Sequence, residues 1–189
     1  MSHHFKLTLI WLAGGTLGLF FALHWLAGAY VDGEFVPMGN DSYYHAHRIL
    51  DLAQRGEFYE HDLRIDPPTG LWVPWPWAYD YLAGRLVQGL YVLGGIPHLT
   101  SLSYLAPAWV YVNAALLLGV GSALGLSLPL RLILLLCFAF SPLTQYAHGV
   151  GVIDHHYVEY SFVLATLWLT LLWAAQPTQR WAAVGLGVV

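Results

Sequence analysis

The chain has 189 residues, 58% of them hydrophobic and only 10% charged, with a formal net charge of −4. Soluble domains carry roughly a quarter charged residues, so this balance excludes an ordinary soluble domain and points to a membrane protein in contact with a lipid bilayer. There is no basic surplus to hold nucleic acid. The single cysteine, Cys137, excludes a disulfide within the chain and, lying in an apolar run, is expected to be packing.

Residues 7–30 form an apolar run of 24 after Lys6. That exceeds the ~20 residues that cross a bilayer, so a first span is expected here. Ala27-Gly28-Ala29 resembles a signal-peptide cleavage site, but the run is longer than a signal core of about 7–15 residues, which favours an uncleaved span.

The next segment, 31–102, differs in kind. Nine of the eleven acidic residues fall between Asp32 and Asp80. Within it, Tyr43, Ala46, Leu50 and Ala53 recur at helical spacing, which predicts a helix over 42–55. Asn40 or Asp41 would cap its start and Gly56 its end. Asp66-Pro67-Pro68-Thr69-Gly70 reads as a turn. Trp72, Trp75 and Trp77 are dense enough to be interfacial anchors. A shorter helix over 78–94 ends at Gly94-Gly95 and Pro97. Spans are expected at about 104–126, 130–149 and 157–175, with Pro129 and Arg131 at the first junction. A further apolar run begins at 181 and would be an incomplete span, as of a chain that continues.

If 78–94 does not cross, Lys6, Arg131 and Arg180 fall on one side. The acidic segment 31–102, a first external loop, then shares the other side with the short loop 150–156. The positive-inside tendency favours this arrangement. It puts the N-terminus in the cytoplasm of a plasma-membrane protein and faces Asp41 and Asp154 outward.

The most informative stretch is Gly-Val-Ile-Asp-His-His-Tyr-Val-Glu, 151–159. Residues 132–153 and 160–179 carry no charged side chain, so Asp154 and Glu159 sit at the mouth of membrane-scale helices, where charge is expensive and usually functional. In an extended Asp-x-His segment the first and third side chains point to one side. Asp154 and His156 would then face one divalent ion, with His155 turned away. The alternative is a polar junction in which Asp154 caps a helix from 157.

Asp41 is the second candidate, as an N-cap, a ligand or both. His45 lies one helical turn on and reads as a substrate or outer contact. Arg48, Arg55, Arg64 and Arg85 are expected to pair with nearby acids. Asp62 and Asp66 read as solvated loop acids.

These residues, in this order, resemble a known family. A first span is followed by Gly-Asn-Asp-Ser-Tyr-Tyr-His-Ala-His-Arg, then Asp66-Pro67-Pro68-Thr69-Gly70 and the Trp-Pro-Trp stretch, then the 151–159 motif. This pattern is similar to the N-terminal part of the oligosaccharyltransferase catalytic subunit in its archaeal and bacterial single-subunit forms. It covers residues 5–189, about the first third of a typical member. The resemblance implies an all-α polytopic membrane protein with a GT-C-type transmembrane domain and a long helical first external loop, whose active face is extracytoplasmic. Asp41, Asp154 and His156 match the positions that hold Mg²⁺ or Mn²⁺ on the pyrophosphate of a polyprenyl-linked oligosaccharide donor. Asp41 would also approach the asparagine amide of an acceptor protein or peptide. His148 stands near the place where the family often has an arginine and, with His45 and Glu159, is a candidate donor contact. The later loop with its catalytic glutamate and the soluble Trp-Trp-Asp domain have no counterpart here, so the chain alone is expected to be inactive. Two alternatives stay open: another GT-C transferase using a polyprenyl-phosphate sugar, and a non-catalytic membrane protein.

Overall fold

The computed structural model describes residues 2–24, 26–75, 77–178 and 180–189. In chain order the described residues form α1 (His3–Leu23), α2 (Leu26–Ala29), β1 (Tyr30–Val31), β2 (Glu34–Phe35), α3 (Asn40–Arg55), β3 (His61–Asp62) and β4 (Leu71–Trp72). There follow α4 (Trp77–Gly94), α5 (His98–Ser103), α6 (Leu105–Ala123), α7 (Leu128–Phe140), α8 (Pro142–Ala147), α9 (His156–Ala175) and α10 (Arg180–Leu186). The fold is mostly helical. Among the described residues, three helices, α1, α6 and α9, are long and apolar enough to cross a membrane.

The chain divides into two compact units. Unit 1 comprises Met1–Ala27, Ala106–Val150 and His155–Val189; unit 2 comprises Gly28–Leu105 and Gly151–Asp154.

Unit 1 holds the apolar helices. The Ser2 side chain accepts from the Phe5 backbone N–H and starts α1. Gly14, Gly15 and Gly18 give α1 a small face. A Cβ on Gly14 would meet Leu135 at 2.7 Å, one on Gly15 the Tyr111 ring at 2.5 Å, and one on Gly18 Val110 at 2.7 Å. Small residues let membrane helices approach closely, and here they admit side chains of both α6 and α7. Ala22, Val110, Ala114, Leu135, Phe138 and Leu164 fill the space between helices. Outward-facing Phe162, Val163 and Leu167 leave α9 apolar on its exposed side, as lipid contact requires. Cys137 also lies on an exposed face, of α7, and not in the packing expected of it.

Two spans differ from their expected limits. The first helix runs His3–Leu23 instead of 7–30, because residues from Gly28 onward fold into unit 2. Tyr30 and Phe35 pair across the β1–β2 hairpin, whose turn places Asp32 and Gly33 at positive φ. The expected span 130–149 is broken into α7 and α8. Proline lacks an N–H and forces the residue before it into an extended conformation. Ser141, ahead of Pro142, accordingly has ψ 124°. The 13 residues of α7 are about 20 Å long, short of a bilayer core of ~30 Å.

Unit 2 packs α3 against α4 and α5, with β3 and β4 as a second small hairpin. Its core joins Ala46, Ile49, Ala53, Ala83, Val87, Leu102 and Ile153. The predicted stop at Gly56 is observed: its φ of 73° is the left-handed conformation that glycine adopts freely. The start differs. Gly39, at φ 90°, occupies the cap position without a side-chain bond, and Asp41 lies in the first turn. The buried face is also rotated, so Tyr43 is exposed while Ser42, His45 and Arg48 point inward. Helix α4 is not among the described helices long and apolar enough to cross a membrane.

Candidate functional site

Residues 151–154 reach unit 2 from far along the sequence and are tied to it by backbone and side chains. The Met38 N–H donates to the Gly151 carbonyl at 2.8 Å. The Ile153 N–H donates to the Ser42 hydroxyl at 3.0 Å, and the Tyr79 hydroxyl donates to the Ile153 carbonyl at 3.2 Å. Ile153, only 2% exposed, is a core residue. Gly151 is required twice over: its φ is 87°, and a Cβ there would meet Ala29 at 3.0 Å and Met38 at 3.2 Å. The residues adjoining the two candidate aspartates, Ser42 beside Asp41 and Ile153 beside Asp154, are therefore bonded to each other across 111 positions.

Behind this junction lies a chain of buried ionisable groups. Asp80, on α4, is fully buried. It meets His45 Nδ1 at 2.6 Å with one oxygen and accepts from Arg48 Nε at 2.6 Å with the other. Arg48 also donates through Nη1 to the Tyr59 carbonyl at 2.7 Å and lies over the Phe58 ring. His45 Nε2 is 3.8 Å from Asp154 Oδ1. Edge-on contacts with Trp75 and Tyr79 hold the imidazole plane. An Arg–carboxylate pair at these distances is charge-assisted and short, and it keeps the buried charges of α3 and α4 compensated.

The expectation that the arginines pair with acids fits three of the four. Arg48 pairs with Asp80, Arg64 with Asp51 and Asp62, and Arg55 with Asp51 at 3.6 Å, while Arg85 donates to Gln88. Asp62 is not the solvated loop acid expected of it. It is 4% exposed and bound by Arg64 and by the Tyr44 hydroxyl. The Arg64 guanidinium holds its carboxyl well below the usual carboxylate range, against the opposing effect of burial.

In unit 1, His155, His156 and Glu159 gather at the start of α9. His155 Nε2 is 3.1 Å from one Glu159 oxygen and His156 Nδ1 is 2.8 Å from the other. The expected extended alternation does not hold here. His155 is in helical conformation at the cap position of α9, which begins at His156, so Asp154 is not the cap and His155 is not turned away from Glu159. His156 and Glu159 line a cavity of about 310 Å³ together with Leu143, Thr144, Ala147, Tyr160 and Val163. His148 also lines it but is not available as a phosphate contact. It is fully buried, with Nδ1 on the Thr144 carbonyl and Nε2 on the Asn113 amide. Asn113 further donates to the Tyr157 carbonyl and accepts from Ser161, to which Trp109 donates. Within unit 1 that network joins α6 to His148, after α8, and to the first turns of α9.

Asp41 is exposed in the first turn of α3. Among the described residues, no set of three close metal-ligating donors includes it; His155, His156 and Glu159 form such a set within unit 1. The residues that sequence reasoning missed are Asp80, Ser42 and Asn113. Asp80 carried a signal, as the one acid of α4; Ser42 carried none. Searches of protein-family models, curated proteins and solved structures give no match to this chain.

Proposed function

We propose that this chain is part of a membrane-embedded glycosyltransferase of the GT-C, oligosaccharyltransferase type. It would transfer a glycan from a polyprenyl-pyrophosphate donor to protein asparagine on the extracytoplasmic face. The observation that carries the reading is the Ser42–Ile153 bond: within unit 2 it joins the Asp41 motif to residues 151–154, and Asp41 and Asp154 are the next residues along the chain from it.

The donor atoms suit the Mg²⁺ or Mn²⁺ that the resemblance implies. Asp41 and Asp154 offer hard carboxylate oxygens, and neither is held as a helix cap. His156 stands as the third ligand on the sequence motif alone. When bound, the ion supplies positive charge that neutralises a pyrophosphate leaving group. Asp41, exposed, is free of the helix-capping role and can accept the acceptor amide N–H. The cavity beside His156 and Glu159 is lined by these and other polar side chains together with Leu143, Ala147, Tyr160 and Val163, a mixture that suits a lipid-linked phosphate. Aromatic Trp72 and Trp77, both exposed, suit the membrane interface.

The test is sugar transfer from a polyprenyl-pyrophosphate-linked donor to an asparagine peptide by membranes expressing the whole gene product. Asp41→Ala and Asp154→Ala should each abolish it. Normal transfer by both variants would overturn the assignment.

A further inference from the structure

Helix α4 has no role in the reading above. One face of it, with Asp80, Ala83, Gly84 and Val87, is buried in unit 2. A helix on the surface of a soluble unit turns polar side chains outward on the opposite face. Here that face carries Leu82, Leu86 and Leu93, which are 67%, 43% and 90% exposed, with Val92 beside them. Spacings of four and seven residues set the three leucines on one stripe of the helix. Along the stripe is a cavity of about 340 Å³ lined by Arg85, Leu86, Gly89, Leu90, Leu93 and Gly94. Past the helix, Ile96 and Leu99 are exposed as well. A helix that is apolar on both faces belongs in a protein core or in lipid, and only one face of α4 has a core.

We propose that the outer face of α4 lies in the membrane interface, with Leu82, Leu86 and Leu93 against acyl chains and Arg85 on a lipid phosphate. Two observations select lipid as the occupant. The first is charge. Arg48, Arg55 and Arg64 of unit 2 each meet an acid. Among the described residues Arg85 meets none; it donates to Gln88 at 2.9 Å and lies over the Tyr81 ring. A phosphate supplies the missing anion, and the guanidinium fork suits it. The apolar stem of arginine lets the charge stay at the headgroups while neighbouring leucines go deeper. The second observation is connection. Helix α4 leads through α5 into α6, which starts at Leu105 and is long and apolar enough to cross a membrane. The chain therefore enters the bilayer within a few residues of Leu99. Helix α4 does not itself qualify as a span, which leaves the in-plane arrangement, with an apolar face about 5–10 Å into the boundary of headgroups and acyl chains. This contact is independent of whether the chain transfers sugar.

The experiment uses the full chain in vesicles of phosphatidylglycerol and phosphatidylcholine, on a Cys137→Ala background that removes the exposed thiol. A nitroxide is attached in turn to Leu82→Cys, Leu86→Cys and Leu93→Cys. Gln54→Cys, at an exposed position of α3, is the aqueous reference. Electron paramagnetic resonance then reads collisions with oxygen, which concentrates in lipid, and with a water-soluble nickel chelate. The three leucine positions should shift toward oxygen and away from nickel relative to Gln54. Adding Arg85→Glu should shift the Leu86 label back toward nickel, because a carboxylate repels the phosphate. Nickel access at Leu86 and Leu93 equal to that at Gln54 would leave the face in water and overturn the proposal. Low access to both reagents would also overturn it, since protein, a second copy or another chain, would then cover the face. An unshifted Leu86 label in the Arg85→Glu variant would overturn the phosphate contact.

Discussion

Replacing Asp80 with alanine should loosen unit 2 selectively. Asp80 is fully buried and accepts from Arg48 Nε at 2.6 Å. Removing one partner of a buried ion pair leaves an uncompensated charge and costs about 3–5 kcal/mol. The lower end applies here, because Arg48 retains its bond to the Tyr59 carbonyl and its position 4.6 Å from the Phe58 ring centroid. A loss of about 3 kcal/mol raises the opening equilibrium roughly 150-fold. Hydrogen exchange on the detergent-solubilised chain should show this in the amides of α3 and α4, while the core of α6 is little changed. Changing both partners, Arg48→Met with Asp80→Ala, should recover part of the loss, since apolar replacements of a buried pair are often near neutral. His45 Nδ1 would still lack its acceptor, a residual cost of about 1–3 kcal/mol. A single-variant cost below about 1 kcal/mol, or a double variant worse than the single, would refute the reasoning.

Two further outcomes follow from the same unit. Ser42→Ala removes the acceptor of the buried Ile153 N–H; it should destabilise by about 1–3 kcal/mol and lower the exchange protection of the Ile153 amide, whereas unchanged protection would show that the tether contributes nothing. Asp62 contributes pH-dependent stability through Arg64, which depresses its carboxyl pKa in the folded state: the contribution is fully present above the unfolded carboxylate value of about 3.9 and fades as pH falls toward the lower folded value. Acid unfolding curves of wild type and Asp62→Asn should therefore converge at low pH and separate above about pH 4, and a constant offset across that range would contradict the assignment.

Helix α3 was legible because its stop is local. Gly56 follows the last turn and takes the positive φ that ends a helix there. The apolar helices α1, α6 and α9 were legible because length and composition suffice for crossing a bilayer. The segment over 130–149 misled because its apolar composition masked Ser141-Pro142, a local breaker that splits it. The 151–159 motif was recognised, but its conformation was not. Side-chain alternation presumes an extended segment, and α9 begins one residue too early for that.

By itself, the sequence determined the class of protein, the apolar helices and which residue types could hold a metal. These follow from composition, run length and local turn chemistry, all properties of neighbouring residues. Only the tertiary structure decided which groups meet. That Ile153 bonds Ser42, that Asp80 stands between His45 and Arg48, and that Asn113 occupies both His148 and the Tyr157 carbonyl are contacts across 32 to 111 positions. The cost of burying a polar group selects its partner, and that cost exists only once the chain has packed.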